Sequence, residues 1–315
     1  MSSLNTTTIA SDSLSDVRQY VKAHFPLARE TATRSFIACY LGTLIPFLTM
    51  LAVSSSHPEI PAFLATAIVA GFTQNAMGIL MHEGSHYFFH KSPIINDRIA
   101  DIFVCLPIFN TVAGYRRLHS AHHQNSGTER DPSYDLYAKT ASRTEILIGA
   151  LKDVAGLTAI SSFMTRYINK PGGTTEPTES PWAFIKLITV QAGIAYGLFW
   201  STGIPYAYLL LWILPLLTIP PLINRIRTIV EHASLTPESR MDNRTTLSGR
   251  LEQLFFAPYG YMHHFEHHLC PYIPFYQLSC FRNFLRDNTG INPDLHSTQG
   301  GYLHTFFSIL KSRKC

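Results

Sequence analysis

The chain of 315 residues is poor in charge, because only 15% of its residues are Asp, Glu, Lys or Arg while 46% are hydrophobic. It has five cysteines, an odd number, and no C-x-x-C pair, which argues against a disulfide framework and favours a reducing compartment. No run of Lys and Arg with interleaved aromatic residues is present, so nothing indicates a nucleic-acid partner. The N-terminal stretch is rich in Ser and Thr and lacks the short apolar core of a signal peptide.

Long apolar stretches, in contrast, are abundant. Four of them are long enough to cross a bilayer, which takes about 20 residues of helix. They cover approximately residues 35–55, 61–81, 182–200 and 204–223. The connectors within the first and the second pair are short and carry no Lys or Arg, so each pair predicts a helical hairpin. Lys186 lies within a span, and all the other Lys and Arg residues fall on one side, which the positive-inside rule makes cytoplasmic.

This four-span interpretation divides the chain into a cytoplasmic N-terminal segment (1–34), a membrane domain (35–285) and a C-terminal tail (286–315). We expect an all-α integral membrane protein in which about four transmembrane helices carry a cytoplasmic helical cap. Residues 99–115, which a proline interrupts, indicate a re-entrant or interfacial helix, and residues 144–168 an amphipathic helix at the membrane surface. The alternative is a soluble protein with four buried core helices, although core helices are rarely so long and so free of charge.

Three clusters of histidine follow two spacing patterns. The members are His82 and His86, then His119, His122 and His123, then His264, His267 and His268. Residues four apart share a helix face, so the first pair can bind one metal ion. The other two clusters have the pattern H-x-x-H-H, in which three imidazoles converge on one helical face and can point into a common cavity. We therefore expect a cytoplasmic metal site built from all three clusters.

The spans provide a separate check on this site. The first cluster follows the second span, the second cluster precedes the third span, and the third cluster follows the fourth span. An even number of crossings separates each pair of clusters, so all three face the same side and can meet. Their imidazoles exceed the four ligands of a zinc site and suit two metal ions. Imidazole binds Zn, Cu, Fe and Ni, so these residues leave the identity of the metal open.

The remaining histidines carry less information. His90 and His263 flank the first and third clusters, and their role stays open. The isolated histidines are more often structural or surface residues than ligands. They are His24, His57, His296 and His304.

The clusters resemble those of the membrane fatty-acid desaturase superfamily, which also contains hydroxylases and carotenoid-modifying enzymes. The family pattern is H-x(3,4)-H, then H-x(2,3)-H-H, then (H/Q)-x(2,3)-H-H. Residues 127–132 (GTERDP) are similar to the acidic DP turn of the family, and residues 266–271 (EHHLCP) to its E-H-H-L-x-P signature. Residues 225–232 (RIRTIVEH) resemble the R-x-R-x-x-x-E-H segment of many bacterial members and add His232 as a ninth ligand. The resemblance covers about residues 35–285.

The resemblance implies four membrane helices under a cytoplasmic cap that holds two iron ions, which activate O2 and remove hydrogen from an unactivated C–H bond. Lys170 stands where a haem-binding H-P-G-G motif would have histidine. Electrons are therefore expected from a separate ferredoxin or cytochrome b5-type protein. The other expected partners are the lipid bilayer and a lipid or acyl substrate, free or carrier-bound. For location, the resemblance favours a bacterial inner membrane over the endoplasmic reticulum.

Carboxylates near the clusters are candidates for balancing the charge of the metal ions and for orienting their ligands through the second ring nitrogen. They are Glu83, Asp131, Glu231 and Glu266. Each could equally have an ordinary surface or capping role. Three aromatic residues could line an apolar substrate channel or simply pack in the core. They are Tyr87, Phe88 and Tyr261.

The function most consistent with these features is the O2-dependent desaturation of a fatty-acyl or other lipid-like chain. A di-iron hydroxylase or a carotenoid ketolase or hydroxylase of the same superfamily is the main alternative, because the ligand set is shared. His82, Glu83 and His86 also match the H-E-x-x-H motif of zinc metalloproteases, with Glu83 as general base. The protease alternative leaves most of the clustered histidines unexplained. A non-catalytic metal-binding or transport protein is a further alternative, and it leaves their chemistry unexplained.

Overall fold

The computed structural model describes residues 14–28, 32–57, 59–138, 141–167, 181–234 and 243–313. Within these ranges the chain is almost entirely helical. The helices are α1 (Leu14–His24), α2 (Ala32–Ser56), α3 (Ile60–Ser85), α4 (Pro93–Ala100), α5 (Val112–Asn125), α6 (Tyr134–Tyr137), α7 (Arg143–Val154), α8 (Leu157–Tyr167), α9 (Pro181–Thr202), α10 (Leu214–His232), α11 (Arg250–Phe256), α12 (His264–Leu269), α13 (Phe275–Asn288) and α14 (Gly301–Ser312). The π-helical segments are Asp101–Cys105 and Leu209–Ile213, and the 3₁₀ turns are Leu106–Ile108, Pro258–Gly260 and Pro293–His296.

Four helices are long and apolar enough to cross a membrane. They are Ala32–Ser56, Ile60–Ser85, Trp182–Thr202 and Leu209–His232, the last formed by a π-helical segment and α10. The predicted all-α membrane fold with four spans is thereby confirmed. The fourth helix continues nine residues beyond the predicted end of its apolar run. It can do so because its two arginines are paired, Arg225 with Asp153 and Arg227 with Glu231.

The end of the spans where the histidine clusters lie is called the metal end. The segment between the first two histidine clusters descends from the metal end and returns to it. Pro93–Ile108 and Val112–Asn125 meet at a bend of 87°. His86 precedes this segment and His119 lies near its end, yet their Nε2 atoms are 3.0 Å apart. Both ends of the segment therefore lie at the same end of the spans. This geometry agrees with the re-entrant alternative predicted for residues 99–115.

The N-terminal helix α1 packs onto the metal end of the spans. Its Val17 and Val21 are buried in a hydrophobic cluster with Ile273 and Phe281, which belong to the segment around α13. This cluster forms one side of the cap above the spans. Helix α1, which lies in the predicted N-terminal segment (1–34), is thus part of the cap.

The C-terminal helix α14 packs on another side of the same cap. Its Tyr302 is fully buried, and Ile309 joins the cluster that contains Ile229 and Val230 of α10. Two short strands, β1 (Thr245–Thr246) and β2 (Ser297–Thr298), pair in parallel and tie the segment before α14 to the segment after α10. The two terminal parts of the described chain thus enclose the end of the spans where the histidines lie.

Candidate metal centre

The first histidine cluster lies where α3 ends. His82 is in the last turn of α3 and is 1% exposed, and His86 is the residue that ends the helix. Tyr87 then adopts a left-handed conformation, with φ of 63°, and the guanidinium of Arg116 stacks over its ring at 3.9 Å. This turn directs the chain away from the helix axis. The two imidazoles remain together at the end of the span, with ring centroids 4.9 Å apart.

The second cluster lies on α5, the returning arm of the re-entrant segment. The hydroxyl of Thr111 accepts the N–H of Gly114 at 3.1 Å and so satisfies one of the free donors at the start of this helix. His119 and His122 are each 8% exposed. Because α5 rises from the bend toward the metal end, it carries its histidines up to the end of α3.

The fourth span and α12 supply the remaining imidazoles. His232 is the last residue of α10, and α12 has only six residues, beginning at His264. A helix this short is not stable on its own, so packing must hold it. Leu269 at its end is buried in the cluster that contains Val17 and Phe281. This packing places Nε2 of His264 2.8 Å from Nε2 of His232.

The nine predicted histidines form two groups. Within each group, one ligand atom from every residue lies within 4.8 Å of the others. The first group is His82, His86, His119, His123 and His267, and the second is His122, His232, His264 and His268. Two donors on opposite sides of a transition-metal ion are about 4.2 Å apart, because metal–nitrogen bonds are about 2.1 Å long. Each group therefore has the size of one coordination shell.

The H-x-x-H-H clusters divide between the two groups. The first and last histidines of the pattern, such as His119 and His123, share a group, while the middle one, His122, joins the other group. Helical geometry explains this division. Residues four apart are separated by about 40° around a helix, whereas neighbouring residues are separated by about 100°. The three rings of each H-x-x-H-H cluster therefore face two adjacent centres. The spacing alone predicts that they face one common cavity.

The nitrogen atoms of the first group fit a bound cation. Neighbouring Nε2 atoms approach to 2.9–3.0 Å, as between His82 and His267, His119 and His123, and His123 and His267. With bonds of about 2.1 Å, two ligands at a right angle on one metal ion would be about 3.0 Å apart. So many lone pairs cannot converge on one point through hydrogen bonds alone. The Nε2 atom of His268, in the second group, is buried with no hydrogen-bond partner among the described residues, as a metal-directed nitrogen would be.

The histidines of the two groups that lie outside the spans are held in the neutral form that metal binding needs. Burial first, and then neighbouring imidazoles and the Arg18 guanidinium, lower the pKa of His123 to about 3. Burial and the Arg116 guanidinium lower the pKa of His86 to about 4. The same cause, burial first and then neighbouring imidazoles, lowers the pKa of His119, His264, His267 and His268. Each ring therefore keeps a free lone pair at neutral pH.

Two of the predicted carboxylates contact the outer nitrogen of a histidine. Oε1 of Glu83 is 2.8 Å from Nδ1 of His82. Both oxygens of Asp131 lie near Nδ1 of His122, at 2.9 and 2.8 Å. The Tyr137 hydroxyl also donates to Asp131. Burial raises the pKa of this carboxyl, but hydrogen bonds from His122, Tyr137 and the Ser133 backbone N–H and the charge of His122 together outweigh it, so the pKa is lowered and Asp131 is ionised.

The other two predicted carboxylates are less directly placed. Oε2 of Glu231 is 3.6 Å from Nδ1 of His264, beyond hydrogen-bond distance, while its Oε1 accepts the Tyr302 hydroxyl at 3.0 Å. Glu266 is fully buried but pairs with Arg282 and accepts a hydrogen bond from the Thr245 hydroxyl. Glu266 thus joins the cap together and contacts none of the nine histidines at hydrogen-bond distance in the described residues.

The doubtful histidines lie outside both groups. Nδ1 of His90 accepts the N–H of Ser92 at 3.0 Å, which is an ordinary turn contact. His263 is buried, and its Nδ1 is 3.9 Å from Glu266. Among the isolated histidines, His296 stacks on Phe265 with ring centroids 4.1 Å apart.

Several residues that support the site could not be found from the motifs. The guanidinium of Arg18 donates to the carbonyl oxygens of Leu269 and His268, at 2.7 and 3.3 Å. Tyr302 and Arg282 hold the carboxylates described above. These contacts join segments up to 251 residues apart, and no spacing pattern signals them.

A cavity of about 810 Å³ adjoins the histidines. Its wall includes His119 from the first group and His122, His232 and His264 from the second. Tyr261 also lines it, whereas Tyr87 and Phe88 are not among its lining residues. Ligand cavities in proteins usually measure about 300–1,000 Å³. The space is therefore large enough for a substrate that reaches both groups.

Comparison with protein families identifies the family to which the chain belongs. The family model described as Fatty acid desaturase matches residues 58–290, which is more than half of the chain and contains all nine histidines. No curated protein matches the chain.

Proposed function

This chain belongs to the fatty acid desaturase family of oxidoreductases, and we propose that it is an O2-dependent di-iron desaturase acting on a fatty-acyl or other lipid-like chain. The observation that carries the proposal is the division of nine histidines into groups of five and four beside one cavity. A single zinc site needs only four ligands. Two adjacent shells suit a pair of metal ions that act together.

The first group would hold one iron and the second group the other, as Fe2+ or Fe3+. When bound, the pair supplies the chemistry that side chains lack, namely the use of O2 and electrons to remove hydrogen from a methylene. We propose that the electrons come from a separate ferredoxin or cytochrome b5-type protein. The neutral imidazoles leave the pair strongly cationic, and the nearby ionised Asp131 offsets part of this charge.

The protein's own groups fix the geometry of the site. Glu83 and Asp131 hold the outer nitrogens of His82 and His122, which directs the opposite nitrogen of each ring inward. The cavity accommodates the alkyl part of the substrate beside the histidines. Tyr261 forms part of the wall, and its ring centroid is 4.8 Å from that of His82.

The contacts of Glu83 argue against the zinc-protease alternative. A general base must reach the water bound to the metal. Here Oε1 of Glu83 holds Nδ1 of His82, and Oε2 accepts the backbone N–H of Phe275 at 3.2 Å. The side chain is 2% exposed. It therefore supports a ligand from behind, with both oxygens already engaged and almost no solvent contact.

The side of the membrane is also a proposal. The lysines and arginines outside the spans fall on the side of the histidine clusters, which supports a cytoplasmic metal end. We favour a bacterial inner membrane, because the segment ending in His232 resembles that of bacterial members.

Expression with a suitable reductase, followed by mass spectrometry of the lipids, tests the reaction. Desaturation removes two hydrogen atoms from the product, whereas the hydroxylase alternative adds one oxygen atom. Metal analysis of the purified protein should find two irons per chain. One zinc per chain, with no O2-dependent change in any lipid, would overturn the proposal.

A further inference from the structure

The helices α7 and α8 meet at a bend of 80°, and the first of them descends along the fourth span. Ile146 packs in the same cluster as Ile229. Further down, Oδ2 of Asp153 pairs with Nε of Arg225 at 2.5 Å. Helices α7 and α10 therefore run antiparallel, and α7 leads away from the metal end of the spans.

The bend lies deep beside the span. Gly156 has a φ of +76°, and a Cβ atom there would be 3.2 Å from the Cβ of Leu217. Leu217 precedes His232 by fifteen residues, which is about 22 Å along an α-helix. The fourth span comprises Leu209–His232, so the bend reaches the inner part of the span rather than its metal end.

The outer face of this pair of helices is apolar and uncovered. Its exposed large side chains are Leu147, Ile148, Leu151, Val154 and Leu157, at 46–69% exposure. So many exposed large apolar side chains between residues 147 and 157 are unusual for a surface in water. Because the patch lies alongside a membrane-spanning helix, lipid is the occupant that fits it.

The inner face of the same helices forms a wall of the cavity. Its lining residues are Asp153, Thr158, Ala159, Ile160, Ser162 and Phe163. Phe163 meets Phe109, at the bend of the first re-entrant segment, with ring centroids 5.8 Å apart. One layer of helix therefore separates the cavity from the surface that would face lipid.

The charged side chains of the cavity wall are already paired. Arg225 is bound to Asp153, and Arg227 lies 3.4 Å from Glu231. Neither arginine is free to neutralise a phosphate or a carboxylate carried into the cavity. The wall thus suits an uncharged hydrocarbon segment, whose charged part stays outside.

We infer that α7 and α8 form a re-entrant hairpin, Arg143–Tyr167, inserted in the bilayer as a wall of the cavity, and that the substrate enters laterally as a membrane-dissolved lipid. A water-soluble carrier is not needed for delivery. The entry route rests on the proposed function, because it concerns the substrate of that reaction. Insertion of the hairpin does not rest on it and is measured separately.

Insertion is tested with single cysteines carrying a fluorophore, in the full-length protein reconstituted in vesicles, with reactive native thiols replaced by Ser. Leu151→Cys and Thr144→Cys form a matched pair, because seven residues bring them to nearly the same helix face about 10 Å apart along the axis. Lipids brominated on their acyl chains should quench the label strongly at position 151 and weakly at position 144. Equal quenching would mean that the hairpin lies flat on the surface, and no quenching that it lies outside the bilayer. Either result overturns the inference.

Lateral entry is tested with the iron-loaded enzyme in vesicles, using one acyl chain presented either as a phospholipid of the same bilayer or on soluble coenzyme A. Added inert lipid dilutes the phospholipid substrate in the bilayer. The rate with the phospholipid substrate should therefore fall in proportion to the mole fraction of that substrate. Turnover of the coenzyme A ester alone, at a rate unaffected by inert lipid, would refute lateral entry and leave the proposed desaturation standing. Position-dependent quenching without any lipid oxidation would instead count against the proposed function, while supporting the inserted hairpin.

Discussion

Replacement of Asp131 by Asn should weaken metal binding at the second histidine group and spare the first. Asp131 is 4% exposed and places both oxygens within 2.9 Å of Nδ1 of His122. His122 belongs to the second group alone. Loss of a carboxylate behind a metal-bound histidine typically costs 10- to 100-fold in metal affinity or activity. This range corresponds to about 1.4–2.7 kcal/mol, which agrees with about 1.5–3 kcal/mol for a hydrogen bond to a charged group.

The assay is a chelator titration of the purified protein with metal analysis at each step. The variant should lose one of its two irons at a chelator concentration roughly 10- to 100-fold lower than the wild type, and keep the other. Asp135→Asn is the matched control, because Asp135 is an exposed acid four residues away and outside both groups. Loss of both irons together, or of neither, would refute the view that Asp131 supports one centre through His122.

Three further predictions concern the ligands, the hairpin and pH. His123→Ala and His267→Ala should each abolish lipid oxidation while leaving membrane insertion intact, and wild-type turnover by either purified variant would contradict the metal assignment. Gly156→Ala should lower stability by about 1–2 kcal/mol, because it places a Cβ at φ of +76° beside Leu217, whereas Gly42→Ala meets no atom within 4 Å and should be neutral or slightly stabilising in the same thermal unfolding assay. In the metal-free protein the pKa of His86 is lowered from 6.5 to about 4, so below the unfolded value the unfolded chain binds more protons and stability should fall as the pH drops toward about 4. A melting temperature of the metal-free protein that does not change between pH 6.5 and about 4 would contradict this pH prediction.

The sequence predicts the spans and the histidines well because both signals are local. A run of apolar residues defines a span without reference to the rest of the chain, and the spacing of His82 and His86 defines a helix face. The fourth helix continues to His232, beyond the end of its apolar run, and this continuation has no local signal. Arg225 and Arg227 interrupt the apolar run, and only the folded protein shows that Asp153 and Glu231 neutralise them.

The division of the histidines into two groups depends on tertiary contacts. The H-x-x-H-H spacing indicates which rings share a side of a helix, but it does not show how α5 and α12 face each other. Once the helices are placed, His122 turns toward the second group and His267 toward the first. Glu266 illustrates the opposite outcome. It lies between histidines in the sequence, yet it pairs with Arg282 because α13 packs beside α12.

The position of α12 depends on parts of the chain outside the family match. A six-residue helix gains too few internal hydrogen bonds to offset the cost of its first turn. Arg18, in α1, donates to the carbonyl oxygens of His268 and Leu269, which an α-helix leaves without partners at its C-terminal end. Tyr302, in α14, donates to Glu231 next to His232. The matched residues 58–290 supply the histidines, whereas α1 and α14 help to hold them in position. Variation in these terminal helices can therefore alter the metal centre without changing any of the family motifs.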